Sequence, residues 1–173
     1  VEYIELIGNP DDYFYGYTVL EIESDIGADS GRIDGVIPLD IQTDANGLFL
    51  ENLTANSLEN SSITLLLVKG FSGAEGDDLD TDDDGVLDNT PWTSIVDSVA
   101  VDDADYGDPV DDFVYAGAPQ LYAYYDGLPY APGGASRIPD GVDTDTIDDW
   151  VRNDFHLAGI PGETGTIDFG EAY

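Results

Sequence analysis

The chain has 173 residues, 42% of them apolar, which is enough for one packed core and too many for wholesale disorder. Its 38 acidic residues face only Arg32, Lys69, Arg137 and Arg152, giving a formal charge of −34, a field that repels nucleic-acid phosphates and anionic membranes and attracts cations. The absence of cysteine removes disulfides, thiolate metal sites and thiol catalysis.

The periodicity along the chain is that of strands. In order, "EYIELIG", "YTVLEIES", "GRIDGVIPLDI", "GLFLENL", "SITLLLVKG", "SIVDSVAVDD", "DFVYAG" and "QLYAYYDG" are short β-branched or aromatic runs. Clusters of Gly, Pro, Asn and Asp separate them, and no long stretch repeats at 3.6 residues, so the expectation is a single all-β domain built as a β-sandwich. Helical turns are expected only over 54–58 and 146–152, where "TIDDWVR" has an acidic start and a basic end. Residues 73–92 and 102–112 are long acidic insertions between strands, and loops of that length usually carry function.

The first insertion holds "GDDLDTDDDGVLDNTPW", in which seven of the twelve residues from Asp77 to Asp88 are aspartate. Carboxylates so close repel one another unless a cation sits among them. The register is Asp80-x-Asp82-x-Asp84-Gly85-x-x-Asp88. A hard cation takes six to eight oxygens, and Ca²⁺ tolerates irregular shells, so acids at every second residue of a curled loop can converge on it. Gly85 supplies the sharp turn, and the Val86 carbonyl is placed to face the ion. The predicted ligands are Asp78, Asp80, Asp82, Asp84, Val86 and Asp88, with Asp77 as an alternative to Asp78. The twelfth position of an EF-hand, a bidentate Glu, is Pro91 here, so the loop is not an EF-hand. It resembles instead the aspartate repeats of thrombospondin type 3, which use D-x-D-x-D-G-x-x-D.

Other stretches carry less. "DGVDTDTIDDW" is a second candidate for an ion, with Asp140, Asp143, Asp145 and Asp148, but no glycine follows the third acid, and a turn feeding a capped helix accounts for most of the pattern. "DDADYGDPVDD" reads as an exposed loop. His156, the one histidine, stands in "NDFHLAG" with no Gly-x-Ser-x-Gly motif and no thiol partner, and "APGGAS" lacks the lysine of a phosphate loop. The chain is therefore expected not to be an enzyme. Eleven tyrosines read as sandwich packing more than as a carbohydrate platform. The acceptor patterns Asn52-Leu-Thr54 and Asn60-Ser-Ser62 are short enough to arise by chance. Methionine is absent, even from position 1, which fits a processed chain, with a removed secretory signal as the simplest reason.

The longer motifs resemble a family. "YIELIGNPDDYFYGYTVLEIE" is similar to the opening of a lamin tail domain, "TDANGLFLEN" to its G-Y-F-V-L segment and "SIVDSVAV" to its V-D-S-V strand. "GGASRIPDGVDTDTIDDWVRNDF" resembles the closing R-x-x-D-G-x-D-T…D-F signature, with Arg137, Asp140, Gly141, Asp143, Thr144, Asp149 and Trp150 in place. The likeness spans nearly the whole chain. It implies an immunoglobulin-like β-sandwich with long acidic loops, and a non-catalytic module in which Arg137 ties a loop through carboxylates such as Asp140 or Asp143. Family members usually begin with an I-N-E-I strand, whereas this chain opens inside "VEYIEL". That departure suggests either a strand donated between copies, from the tail "GTIDFGEAY" or from the N-terminal strand itself, or a chain that is a fragment of a longer one.

Two functions are thus expected. The first is a secreted, cell-surface, calcium-binding structural or adhesive module that assembles with copies of itself or with another surface protein. The alternative is an accessory domain of an extracellular nuclease or phosphoesterase. Neither inserts into a membrane, since "ITLLLV" is strand length and far short of the roughly eighteen apolar residues of a span.

Overall fold

In the computed structural model, residues 2–103, 112–129, 131–137 and 141–152 are described. The fold is all-β. Among the described residues nine strands follow in order: β1 (Tyr3–Ile7), β2 (Tyr17–Glu23), β3 (Ile33–Leu39), β4 (Leu48–Asn52), β5 (Ile63–Lys69), β6 (Ser94–Val101), β7 (Gln120–Leu121), β8 (Ala135–Arg137) and β9 (Trp150–Arg152). One five-stranded sheet runs β3-β2-β5-β6-β7, and β1–β4 and β8–β9 form separate two-stranded ribbons. All pairings are antiparallel except β6 with β7.

The central strands β2 and β5 are covered on both faces, which is why they read as near-continuous apolar runs and not as strict alternation. Register sorts their side chains. Leu20 lies opposite Leu66 and Thr18 opposite Val68, while Val19 faces Leu67 and Glu21 faces Leu65. The Leu20 face is the main core: Leu20, Ile22, Ile33, Leu66 and Val68 have no exposure, and Leu79 and Tyr115 pack against them equally buried. Each such side chain contributes about 1.5–3 kcal/mol of burial. Val36, Phe71, Leu87, Trp92 and Phe113 close the rim of this cluster. Leu79, Leu87 and Trp92 all belong to the 73–92 insertion, so that insertion is the cover of one sheet face and not an excursion from it.

On the opposite face the β8–β9 ribbon meets β6. Arg137 of β8 reaches Asp97 of β6, and Gly141, ahead of β9, lies beside Ile7 of β1. Two irregularities matter. The β2–β3 register slips between Glu21 and Ile22, leaving Asp34 as the extra residue, and the β5–β6 register slips between Leu67 and Val68, leaving Val96 extra.

Several expectations are revised. "DFVYAG" is not a strand: Tyr115–Gly117 is a 3-10 turn, with Ala116 and Gly117 at φ +58° and +70°. Only Gln120–Leu121 of "QLYAYYDG" is extended. Residues 54–58 form turns without a helix, with Asn56 at φ +61°. In "TIDDWVR" a 3-10 turn over Ile147–Asp149, closed by a Thr146–Asp149 capping box, gives way to β9 at Trp150. β1 is paired residue for residue with β4 of the same chain, so it is not a free donor strand. The tail proposed as the other donor, and His156, lie outside the described residues.

Candidate metal centre

The aspartate loop is laid down on the start of β3. Gly76 N–H donates to Ile33 O at 2.7 Å, Ile33 N–H to Asp77 O at 2.9 Å and Leu79 N–H to Gly31 O at 3.1 Å, so 76–79 runs as a short edge segment. Leu79 then enters the core, which fixes where the next residue must turn. Asp83 N–H bonds Asp80 O at 3.1 Å, and Asp83 and Gly85 take φ +54° and +84°. The loop closes on itself where Asp88 and Asn89 N–H both reach Leu79 O, at 2.7 and 3.2 Å.

Inside this ring, carboxylate oxygens of Asp80, Asp82 and Asp88 lie within 4.8 Å of one another. Asp80 is fully buried and accepts three hydrogen bonds: Asp84 N–H on Oδ1 at 3.1 Å, and Gly85 N–H and the Tyr115 hydroxyl on Oδ2 at 2.8 and 2.9 Å. Asp88 Oδ2 accepts the Thr81 N–H at 3.0 Å and the Thr81 hydroxyl. Asp82 is exposed, and a backbone hydrogen bond favours its charge less than its acidic neighbours oppose it. Its pKa is raised, first by Asp84, then by slight burial, then by Asp88 and Asp80. Like charges this close favour either a proton or a cation.

Of the predicted ligands, three are therefore brought together and three are not. Asp78 Oδ1 caps Asp80 N–H at 3.1 Å, Asp84 Oδ1 caps Val86 N–H at 3.0 Å, and Val86 is 64% exposed. Asp77 Oδ2 takes the Ala74 N–H at 2.8 Å. The donor set is all oxygen, which suits a hard cation. Three carboxylates are fewer than the six to eight oxygens that Ca²⁺ takes.

Two further acidic groups could hold a metal ion, and both escape a local reading because their members are far apart in sequence. Glu23, Asp34 and Glu59 meet beside the β2–β3 bulge. Next to them Glu21 is 1% exposed, its Oε1 accepting Glu59 N–H at 2.7 Å. Burial, and then the charges of Glu59, Asp34 and Glu2, push Glu21 up to about 7, and burial likewise raises Glu23. Asp25, Asp103 and Asp112 surround Ser62, whose hydroxyl donates to Asp112 at 2.6 Å and whose N–H reaches Asp25 at 3.1 Å. The only signal for this group was that it brackets the second acidic insertion.

The other sequence candidate, "DGVDTDTIDDW", is taken up by structure. Asp143 pairs with Arg137 at 3.4 Å, Asp149 accepts Thr144 N–H at 2.6 Å, and Asp140 lies outside the described residues. Each of the four cations is engaged as well: Arg32 with Asp29, Arg137 with Asp97, Arg152 with Asp126, and Lys69 over the Tyr17 ring at 4.9 Å. Among the described residues no helix is long and apolar enough to cross a membrane.

Compared with protein-family models, curated proteins and solved structures, the chain matches none.

Proposed function

We propose that the chain is a calcium-binding structural module, with Asp80, Asp82 and Asp88 as the carboxylate core of the site. The observation that carries this reading is the convergence of these three acids in a closed loop whose Leu79 sits in the hydrophobic core. Asp84 and the Val86 carbonyl are the nearest further oxygens in the sequence pattern. Binding to the folded state alone would stabilise the whole sheet face, because the loop that holds the ion also covers Leu20, Ile22 and Leu66.

The setting we propose for this module is secreted and cell-surface, where millimolar calcium suits weakly built acidic sites. It binds other copies of itself or another surface protein, and it has no catalytic role of its own. The engagement of all four cations speaks against nucleic acid as a partner. The resemblance to the lamin tail domain, carried by the motifs around Arg137 and Asp97, supports a module that serves as scaffold.

Native mass spectrometry tests the reading. After chelation and desalting, added calcium should appear as a discrete bound ion, and Asp82→Asn with Asp88→Asn should remove it. A spectrum with no calcium adduct above that of the double variant would refute the site.

A further inference from the structure

We propose that Tyr115 is the positioning residue of this site, its hydroxyl fixing the orientation of the Asp80 carboxylate. The inference rests on the calcium reading and goes one step further, to a residue outside the aspartate loop. Of the three hydrogen bonds that Asp80 accepts, two come from the loop itself, from Asp84 and Gly85. Those donors move with the loop and cannot hold its conformation from outside. The third comes from Tyr115, 35 residues along the chain.

Tyr115 is a fixed donor. Its side chain has no exposure and packs in the core with Leu20, Ile22, Ile33, Leu66, Val68 and Leu79. Its N–H is bonded to Thr64 Oγ1 at 3.3 Å, on the central strand β5, and its O accepts Ala118 N–H at 3.2 Å. Phe113, two residues earlier, meets the Tyr115 ring edge-on at 6.1 Å between centroids and lies beneath Gly85. Residues 113–115 therefore brace the loop at two points from the sheet side, Phe113 under Gly85 and Tyr115 under Asp80. A phenol hydroxyl donates a single proton, so it orients the carboxylate, and with the two loop donors it leaves one of the roughly four lone-pair sites, on Oδ1, for a cation. Partners that orient metal ligands in this way typically change affinity by about 10–100-fold when removed.

The competing explanation is that the hydroxyl merely satisfies a buried carboxylate, in which case its loss lowers stability and leaves affinity alone. Calorimetric titration of the chelator-stripped full chain with calcium chloride separates the two. Three proteins are needed: wild type, Tyr115→Phe, and Val19→Ala, a change at a side chain buried on the opposite face of β2 beside Leu67, which loses stability away from the loop. The expected result is a dissociation constant about ten-fold weaker in Tyr115→Phe and unchanged in Val19→Ala. Equal affinity in wild type and Tyr115→Phe overturns the inference and leaves the calcium reading standing. Equal weakening in Val19→Ala also overturns it, since the effect is then one of stability. No binding heat in wild type, with no shift of any loop resonance, overturns both. Should Tyr115→Phe fail to fold, the wild type alone decides: its Tyr115 ring resonances must shift in step with calcium, and a ring that stays put contradicts the role.

Discussion

Arg137 grips Asp97 with both terminal nitrogens, at 2.7 and 2.8 Å, and stacks its guanidinium over Trp150 at 4.4 Å. This fork joins the β8–β9 ribbon to the middle of β6. Asp97 is half-buried, and burial raises its pKa despite the pull of Arg137, so desolvation takes back much of what the pair gains. Removing one partner should then be worse than removing both. Arg137→Met is expected to cost about 2–3 kcal/mol by stranding Asp97, and adding Asp97→Leu should recover part of that loss. Denaturant melts of the single and double variants check the order.

Acid should stabilise the metal-free protein before it unfolds it. Glu21 has an ordinary value of 4.5 and is pushed up to about 7 in the fold. A raised carboxyl contributes stability that is complete below about 4.5 and is lost as pH rises through about 7, worth at most about 3 kcal/mol. The midpoint in chelator should therefore be higher at pH 5 than at pH 8, and Glu21→Gln should flatten that difference. Below pH 4 the sign reverses. Glu2, partly desolvated but holding the N–H groups of Leu58, Asn56 and Ser57, is lowered; so are Asp44, through Leu48, and Asp149, through Thr144.

Asp82→Asn should act with opposite signs in the two metal states. In chelator it removes a carboxylate raised by its neighbours Asp84, Asp88 and Asp80, so the midpoint holds or rises. In calcium it removes a ligand, so the gain from the ion shrinks or vanishes. Adding Asp84→Asn should complete the effect and reproduce the chelated behaviour. Parallel shifts in both conditions would separate Asp82 from the ion.

Two glycines hold the loop where a side chain cannot go. Gly31 is at φ +77°, and a Cβ there would stand 2.4 Å from the Asp80 Cβ; Gly85 is at φ +84°, with the Phe113 ring at 2.7 Å. Gly31→Ala and Gly85→Ala should each lower stability by about 2 kcal/mol or more and weaken calcium uptake. Gly27→Ala, at a position with open space, serves as the control.

What was legible in the sequence was local. "YTVLEIES" and "SITLLLVKG" gave β2 and β5 because β-branched and aliphatic runs of that length fit a sheet covered on both sides. The Asp80–Asp88 loop was legible because spacing and Gly85 lie within nine residues. "DFVYAG" misled because Val-Tyr favours strands, while Ala116 at positive φ turns the chain and sends Tyr115 inward. The three-residue strands β8 and β9 are too short to show a period. Glu21 alternates with Leu20 and Ile22 as a solvent-facing residue would, yet it is buried, with the Glu59 N–H on its Oε1 and Gly35 beside its side chain, contacts that leave no pattern along the chain. The sharing of carboxylates among Asp25, Asp103 and Asp112 depends on tertiary contact and leaves no pattern along the chain.

On the proposed reading a divalent ion in the Asp80–Asp88 loop completes one face of the core. Thermal melting of the full chain, stripped of metal and scanned in millimolar calcium and in excess chelator, tests this. At free calcium about 100-fold above the dissociation constant, binding adds about 2.7 kcal/mol, which in a chain of this size raises the midpoint by about 5–10 °C. Melting should remain a single transition, because the loop and the Leu20–Leu66 face unfold together. Identical midpoints in calcium and in chelator would contradict the account.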